Sequence, residues 1–201
     1  MPVRFSLFDS LLLDNFSKAS QTPNFDMRRI FDGALVTVKP LNAVTMVQNH
    51  DTQPGQAFDL PVQDYFKPLA YALILLRRDG YPCVFFGDLY GKNGPKKFPE
   101  VPCGGKLADL ILVRKLYSYG LEQSYFDHPR CIGWVRLGTW DKRYGCAVVM
   151  STGLASEKNM FVGTRHAHEI WTDIACSQPY ADLWLVGSQA KTRQNWRGRF
   201  W

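Results

Sequence analysis

No apolar run in this 201-residue chain approaches the roughly 20 residues a helix needs to cross a bilayer, so no membrane span and no membrane partner are expected. The opening residues Met1-Pro2-Val3-Arg4-Phe5 lack a charged stretch followed by an apolar one, which predicts no secretory leader. Cysteine is scarce and scattered. Cys83, Cys103, Cys131, Cys146 and Cys176 form an odd set without a CxxC pair, which argues against a disulfide framework or a zinc site. Reduced thiols and a cytoplasmic location are the expectation. Charged residues make up only 21% and hydrophobic ones 46%, the balance of a folded chain rather than a disordered one. The length suits one ordinary domain or two small ones. Half of the net charge of +6 sits in residues 176–201, where Lys191, Arg193, Arg197 and Arg199 face Asp182 alone. No helical or aromatic-interleaved pattern frames those cations, so the tail reads as a solvated end and no nucleic-acid partner is expected.

What the chain does have is a change of texture near residue 120. Before it, apolar segments alternate with helical ones. Phe5-Ser6-Leu7-Phe8 reads as a buried strand ending in Asp9, and residues 25–31 as a helix with Gly33 at its C-cap. A short apolar run, Ala43 to Val47, breaks into the polar cluster Gln48-Asn49-His50-Asp51-Thr52. Residues 62–79 predict a helix with Tyr65, Leu69, Leu73 and Leu76 on one face, and Pro68 marks a kink or a late start. Tyr81 to Phe86 reads as a second buried strand. Strand, helix and strand in this order predict a βαβ unit with parallel strands, whose polar residues fall at the C-terminal ends where such folds place their sites. A last helix spans about Lys106 to Tyr119 with Gly120 as its stop. Beyond it, Cys131–Leu137, Cys146–Met150 and Met160–Gly163 read as strands divided by Gly, Thr and Asp turns.

Residues 45–56, Thr-Met-Val-Gln-Asn-His-Asp-Thr-Gln-Pro-Gly-Gln, resemble the strand-seven motif of the α-amylases of glycoside hydrolase family 13. The likeness continues through Tyr65 to Ala72, Gly80-Tyr81-Pro82, Gly87 to Gly91, Tyr125 to His128, Ile132-Gly133-Trp134 and Gly163 to Ile174. It is nearest to the liquefying bacterial and intracellular fungal types. It implies an α/β plus all-β fold: the C-terminal portion of a (β/α)8 TIM barrel (residues 1–120, strands six to eight), then a small antiparallel β-sandwich (121–175). A divergent basic tail (176–201) would follow, with the whole incomplete at both ends.

The resemblance further implies endo-hydrolysis of α-1,4-glucosidic bonds in starch or glycogen, with retention, and an α-glucan as partner. By it Asp51 is a catalytic carboxylate that stabilises the oxocarbenium-like transition state, His50 hydrogen-bonds the same sugar, and Asn49 braces their turn. The family's nucleophile Asp and acid Glu lie on strands four and five and have no counterpart here, so the chain is expected to bind without cleaving. Asp9 and Asp88, both at strand ends, are the only substitutes. The alternative reading is a non-catalytic α-glucan-binding remnant. No cofactor and no metal are assigned to these residues. Calcium belongs to the full-length family, and the acidic positions of a further bacterial metal site appear here as Arg130 and Thr152.

Overall fold

The computed structural model describes residues 5–91, 102–153, 158–166 and 171. The basic tail, and most of the likeness beyond residue 166, lie outside them.

Three short parallel strands form the first sheet: β1 (Leu7–Phe8), β2 (Ala43–Met46) and β3 (Tyr81–Cys83). Leu7 pairs with Ala43 and Phe8 with Val44, while Val44, Thr45 and Met46 pair with Tyr81, Pro82 and Cys83. The expected parallel βαβ unit is present. The two outer strands, read as buried, are instead largely exposed. The physical reason is their position, because only the middle strand has a partner on both sides.

Helix α1 (Ser10–Gln21) follows β1, a helix the sequence reading did not anticipate. It begins where the Asp9 carboxylate accepts the Leu12 amide at 3.1 Å, and it buries Leu12, Leu13, Phe16 and Ala19 along one face. The same carboxylate accepts the amides of Leu35 and Val36 at 3.0 and 2.8 Å. Asp9 therefore caps two helices at once, α1 and the single turn α2 (Leu35–Val38). The helix expected at 25–31 is one 3₁₀ turn, Met27–Arg29, capped by Asp26.

Helix α3 (Lys67–Leu75) starts at the late point that Pro68 marked. Its proline occupies the first turn, where no backbone donor is lost. Nearly every residue of α3 is buried, so it is a core helix rather than an amphipathic one. After β3 the chain turns at once into α4 (Phe86–Tyr90), which shortens the strand expected to reach Phe86. Helix α5 (Lys106–Tyr117) then precedes the second sheet.

That sheet is antiparallel: β4 (Glu122–His128), β5 (Cys131–Arg136) and β6 (Cys146–Ser151). Alternation along β5 and β6 divides their side chains between two cores. Ile132, Trp134, Cys146, Val148 and Met150 join the large core under α1, α3 and α5. Cys131, Val135, Ala147 and Val149 join Met160 and Val162 on the other face. Residues 160–163 form no continuous strand, so among the described residues one antiparallel sheet stands where a sandwich was expected.

Beside the apolar core that the two halves share, a buried polar network bridges them. Buried Arg136 donates to Leu76 O at 3.2 Å and to Gly120 O at 3.1 Å, and Ser118 Oγ donates to Leu76 O at 2.6 Å. The two bonds to Leu76 O satisfy a carbonyl that the end of α3 leaves open. Gly120 and Gly138 cross so closely that a Cβ on Gly120 would stand 1.8 Å from Gly138 O, at a φ of +78° that favours glycine.

Candidate functional site

At the C-terminal end of β2 the backbone leaves the sheet and folds into a tight turn. Asn49 makes it. Its Oδ1 accepts the amides of Asp51 and Thr52, each at 2.9 Å, and its own amide donates to Thr52 Oγ1 at 2.9 Å. An Asn side chain that binds the backbone two residues on is the ordinary chemistry of an Asx turn. Gln53 Nε2 reaches back to His50 O at 3.2 Å, and Phe58 N donates to Asp51 O at 3.0 Å.

The turn presents His50 and Asp51 to solvent. Their side chains are 80% and 50% exposed, and His50 Nε2 lies 3.4 Å from Asp51 Oδ1. An exposed carboxylate beside an imidazole offers both an acceptor and a donor to a hydroxylated ligand. All three residues singled out in the sequence thus sit on one turn, Asn49 facing inward to its backbone and the other two outward.

Behind the turn lies a polar cluster that the sequence reading missed. Gln48, one residue before Asn49, donates through Nε2 to Asp88 Oδ1 at 2.9 Å. Asp88 is fully buried on α4. Its other oxygen accepts from Tyr71 Oη at 2.7 Å, and Lys67 Nζ stands 3.2 Å from Oδ1 and 2.9 Å from Asp64. Burial pushes the Asp88 carboxyl above its usual range, although Lys67 and Tyr71 pull the other way. Burial draws the Lys67 ammonium down, and Asp88 with Asp64 more than restores it, so its pKa is raised. Tyr71 is raised by burial and by the neighbouring carboxylate, and the buried Cys103 thiol is raised for the same two reasons. A lysine in an otherwise apolar helix was the one available signal.

Asp9 and Asp88 are therefore both occupied. The first is 1% exposed and caps two helices; the second is 0% exposed and holds Lys67, Tyr71 and Gln48. Neither faces the turn's solvent side. Among the described residues no group of three or more His, Cys, Asp or Glu could hold a metal ion. Calcium takes six to eight oxygens, from carboxylates, carbonyls and waters. Near residues 23–25, where Met27 N donates to Pro129 O at 2.7 Å and Thr152 N to Arg130 O at 3.0 Å, the chain offers a guanidinium instead. Among the described residues, the two positions where acidic side chains were expected hold Arg130 and Thr152, which supply no carboxylate.

No family model matches the chain. It is 45% identical over 175 residues to the cytoplasmic α-amylase of Escherichia coli, covering 83% of this chain and 35% of that protein. It is 44% identical over 172 residues to an α-amylase of Bacillus licheniformis, covering 84% and 33%. The chain thus spans about a third of the length of these curated relatives. Among solved structures it is similar to AmyP in complex with maltose, with a TM-score of 0.55 at 11% identity, covering 94% of this chain and 51% of that one. At that identity the likeness speaks for the fold alone. With relatives this similar along most of its length, the chain belongs to the α-amylase family of glycoside hydrolases, glycoside hydrolase family 13, to whose C-terminal part it corresponds.

Proposed function

We propose that this chain supplies the sugar-stabilising turn of an α-amylase acting on α-1,4-glucan, with Asp51 as the carboxylate that favours the transition state. The observation that carries the proposal is the Asn49 turn, which fixes Asp51 and His50 side by side and exposed at the C-terminal end of a parallel strand. An α-glucan substrate is supported by the names of the curated relatives, both α-amylases.

Retaining hydrolysis needs a nucleophile and an acid about 5–5.5 Å apart across the scissile bond. Asp51 would strengthen its contacts with the sugar hydroxyls as positive charge develops on the ring. It cannot also serve as acid and nucleophile. Asp9 and Asp88 are spent on helix caps and a buried ion pair. The chain by itself is therefore expected to bind maltooligosaccharide without cleaving it, and the antiparallel half, residues 121–175 in this reading, packs beside the barrel-type half as a smaller β-domain. A cytoplasmic location belongs to the same proposal, supported by the scattered thiols and the Escherichia coli relative's name.

The test measures reducing-sugar release from soluble starch alongside calorimetric binding of maltoheptaose, for the chain and its Asp51→Asn variant. Binding without turnover, weakened in the variant, is expected. Turnover abolished by Asp51→Asn would show that the chain supplies its own acid and nucleophile. Binding indifferent to both His50 and Asp51 would remove the turn from the site.

A further inference from the structure

Between β2 and the helices packed on it the fold leaves a cavity of about 180 Å³ that the Asp51 turn does not use. Its floor is apolar and closed. Leu12 of α1, Val36 of α2, and Leu73 and Ile74 of α3 meet there, each no more than 7% exposed. Gly80 holds two of the lining side chains in place, since a Cβ on it would stand 2.9 Å from Thr45 Cγ2 and 3.0 Å from Val36 Cγ2. A cavity of about 150 Å³ walled by Leu, Ile and Phe takes benzene, so this one has room for a six-membered ring with a substituent.

One polar atom interrupts that floor. Thr45 is 1% exposed, and its hydroxyl has no hydrogen-bond partner among the described residues. Buried hydroxyls are nearly always paired, because burial removes the water that would otherwise serve. The other polar side chains around the cavity are engaged. Arg77 lies 4.5 Å above the Phe31 ring and donates through Nε and Nη2 to Glu122 Oε1, at 2.9 and 2.7 Å. Thr37 Oγ1 donates to Phe31 O at 3.0 Å, and Asp79 accepts from Arg78 Nε at 3.0 Å. Thr37 is exposed and Asp79 half-buried, so the mouth opens on their side.

We infer that this cavity is a binding site for a small neutral aromatic alcohol of the size of phenol, whose ring fills the apolar floor and whose hydroxyl pairs with Thr45. Burial of the ring against Leu12, Leu73 and Ile74 supplies the gain, and one polar group fixes the orientation. A sugar does not suit this chemistry, because most of its hydroxyls would lose water without finding a partner. An anion is disfavoured too, since the Arg77 charge is paired with Glu122 and the Asp79 carboxylate stands at the mouth. A purely apolar ring would fill the space and leave Thr45 unpaired, so the ligand's hydroxyl gives the selectivity. Thr45 lies on β2 four residues before Asn49, and an occupant would brace the strand that carries the turn. The inference goes beyond the α-glucan reading and does not depend on it.

The experiment titrates the full chain, labelled at its Ile, Leu and Val methyls, with phenol and in parallel with toluene, followed by two-dimensional NMR. Saturable shifts are expected at Leu12, Val36, Leu73 and Ile74, with phenol the tighter ligand. Thr45→Val should weaken phenol about tenfold, the worth of one hydrogen bond, and leave toluene unchanged. Val36→Phe, which fills the space, should abolish the saturable shifts for both. Should that variant fail to fold, the ratio of phenol to toluene affinity in Thr45→Val decides alone. If phenol moves the methyls of exposed Leu7, Leu11 and Leu41 instead, it only coats apolar surface and the site is refuted. Cavity shifts that Thr45→Val leaves unaltered for both ligands refute the hydroxyl as the recognised group, and with it the assignment of an alcohol. No saturable shift with either ligand overturns the inference outright.

Discussion

Gln48 Nε2 donates to Asp88 Oδ1 at 2.9 Å, and this bond ties the residue before the Asn49 turn to a carboxylate buried behind it. Asp88 is held in turn by Tyr71 and Lys67 of α3, so three elements converge on one carboxylate. The exposed pair His50 and Asp51 is thereby anchored from inside the fold.

Removing that anchor leaves Lys67 buried with only the exposed Asp64 for a partner. Asp88→Ala is expected to destabilise the chain by about 3 kcal/mol, the lower end for breaking a buried pair. Hydrogen exchange should quicken at the amides of Asp51 and Thr52. Urea titration and amide exchange check the two halves of this expectation. A variant of unchanged stability would mean that the cluster carries no net energy.

The same cluster sets a pH dependence. Burial raises the Asp88 pKa above its ordinary 3.8, so the folded chain binds this proton more tightly than the unfolded one. Linkage then fixes the sign: the group's contribution is greatest below about pH 3.8, falls as pH rises through the raised value, and is flat above it. The stability of the parent minus that of Asp88→Asn should accordingly fall as pH climbs through that window. Urea midpoints of both proteins across the acid range decide it, and a difference that rises with pH would reverse the assignment.

Asp9 offers a sharper stability test because it caps two helix starts at once. Loss of one cap costs about 1 kcal/mol, so Asp9→Ala is expected to cost about 2 kcal/mol, with the Leu35 and Val36 amides left unpaired. Asp9→Asn, which keeps an acceptor, should recover part of this. Equal losses in the two variants would show that charge rather than capping geometry matters.

How far the sequence reveals such features depends on their range. The Asn49 turn is legible because the bonds of Asn49 itself all lie within three residues, and the pairing of β5 with β6 follows from two apolar runs separated by a turn. Helix α1 hides because Ser17 and Ser20 lie on its buried side, their hydroxyls meeting Pro61 O at 3.0 Å and Ser17 O at 2.8 Å, while Leu11 faces solvent. Apolar periodicity fails when polar residues take core positions with partners of their own. The Gln48–Asp88 bond spans forty residues and leaves no local trace. The strands at the edge of the first sheet looked buried because their composition is apolar, and composition does not say how many neighbours a strand has.

The turn itself separates fold from function. Asn49 spends its side-chain oxygen on two backbone amides, whereas His50 and Asp51 make few contacts and stand in solvent. Asn49→Ala should therefore lower stability by about 1–2 kcal/mol, since it strands two amides, and weaken maltoheptaose binding by letting the turn open. Asp51→Asn and His50→Ala should leave the melting temperature almost unchanged, because exposed side chains outside caps and cores rarely matter by more than about 0.5 kcal/mol. Each should nonetheless weaken maltoheptaose binding by about tenfold, the cost of one hydrogen bond to a charged or polar partner. Differential scanning calorimetry and titration calorimetry on the same three variants give the two readouts. If all three lose stability and affinity in proportion, the turn is a structural element and the sugar binds elsewhere. Affinity lost without stability at His50 and Asp51, and lost with it at Asn49, is the pattern expected of a ligand-contacting pair on a braced support.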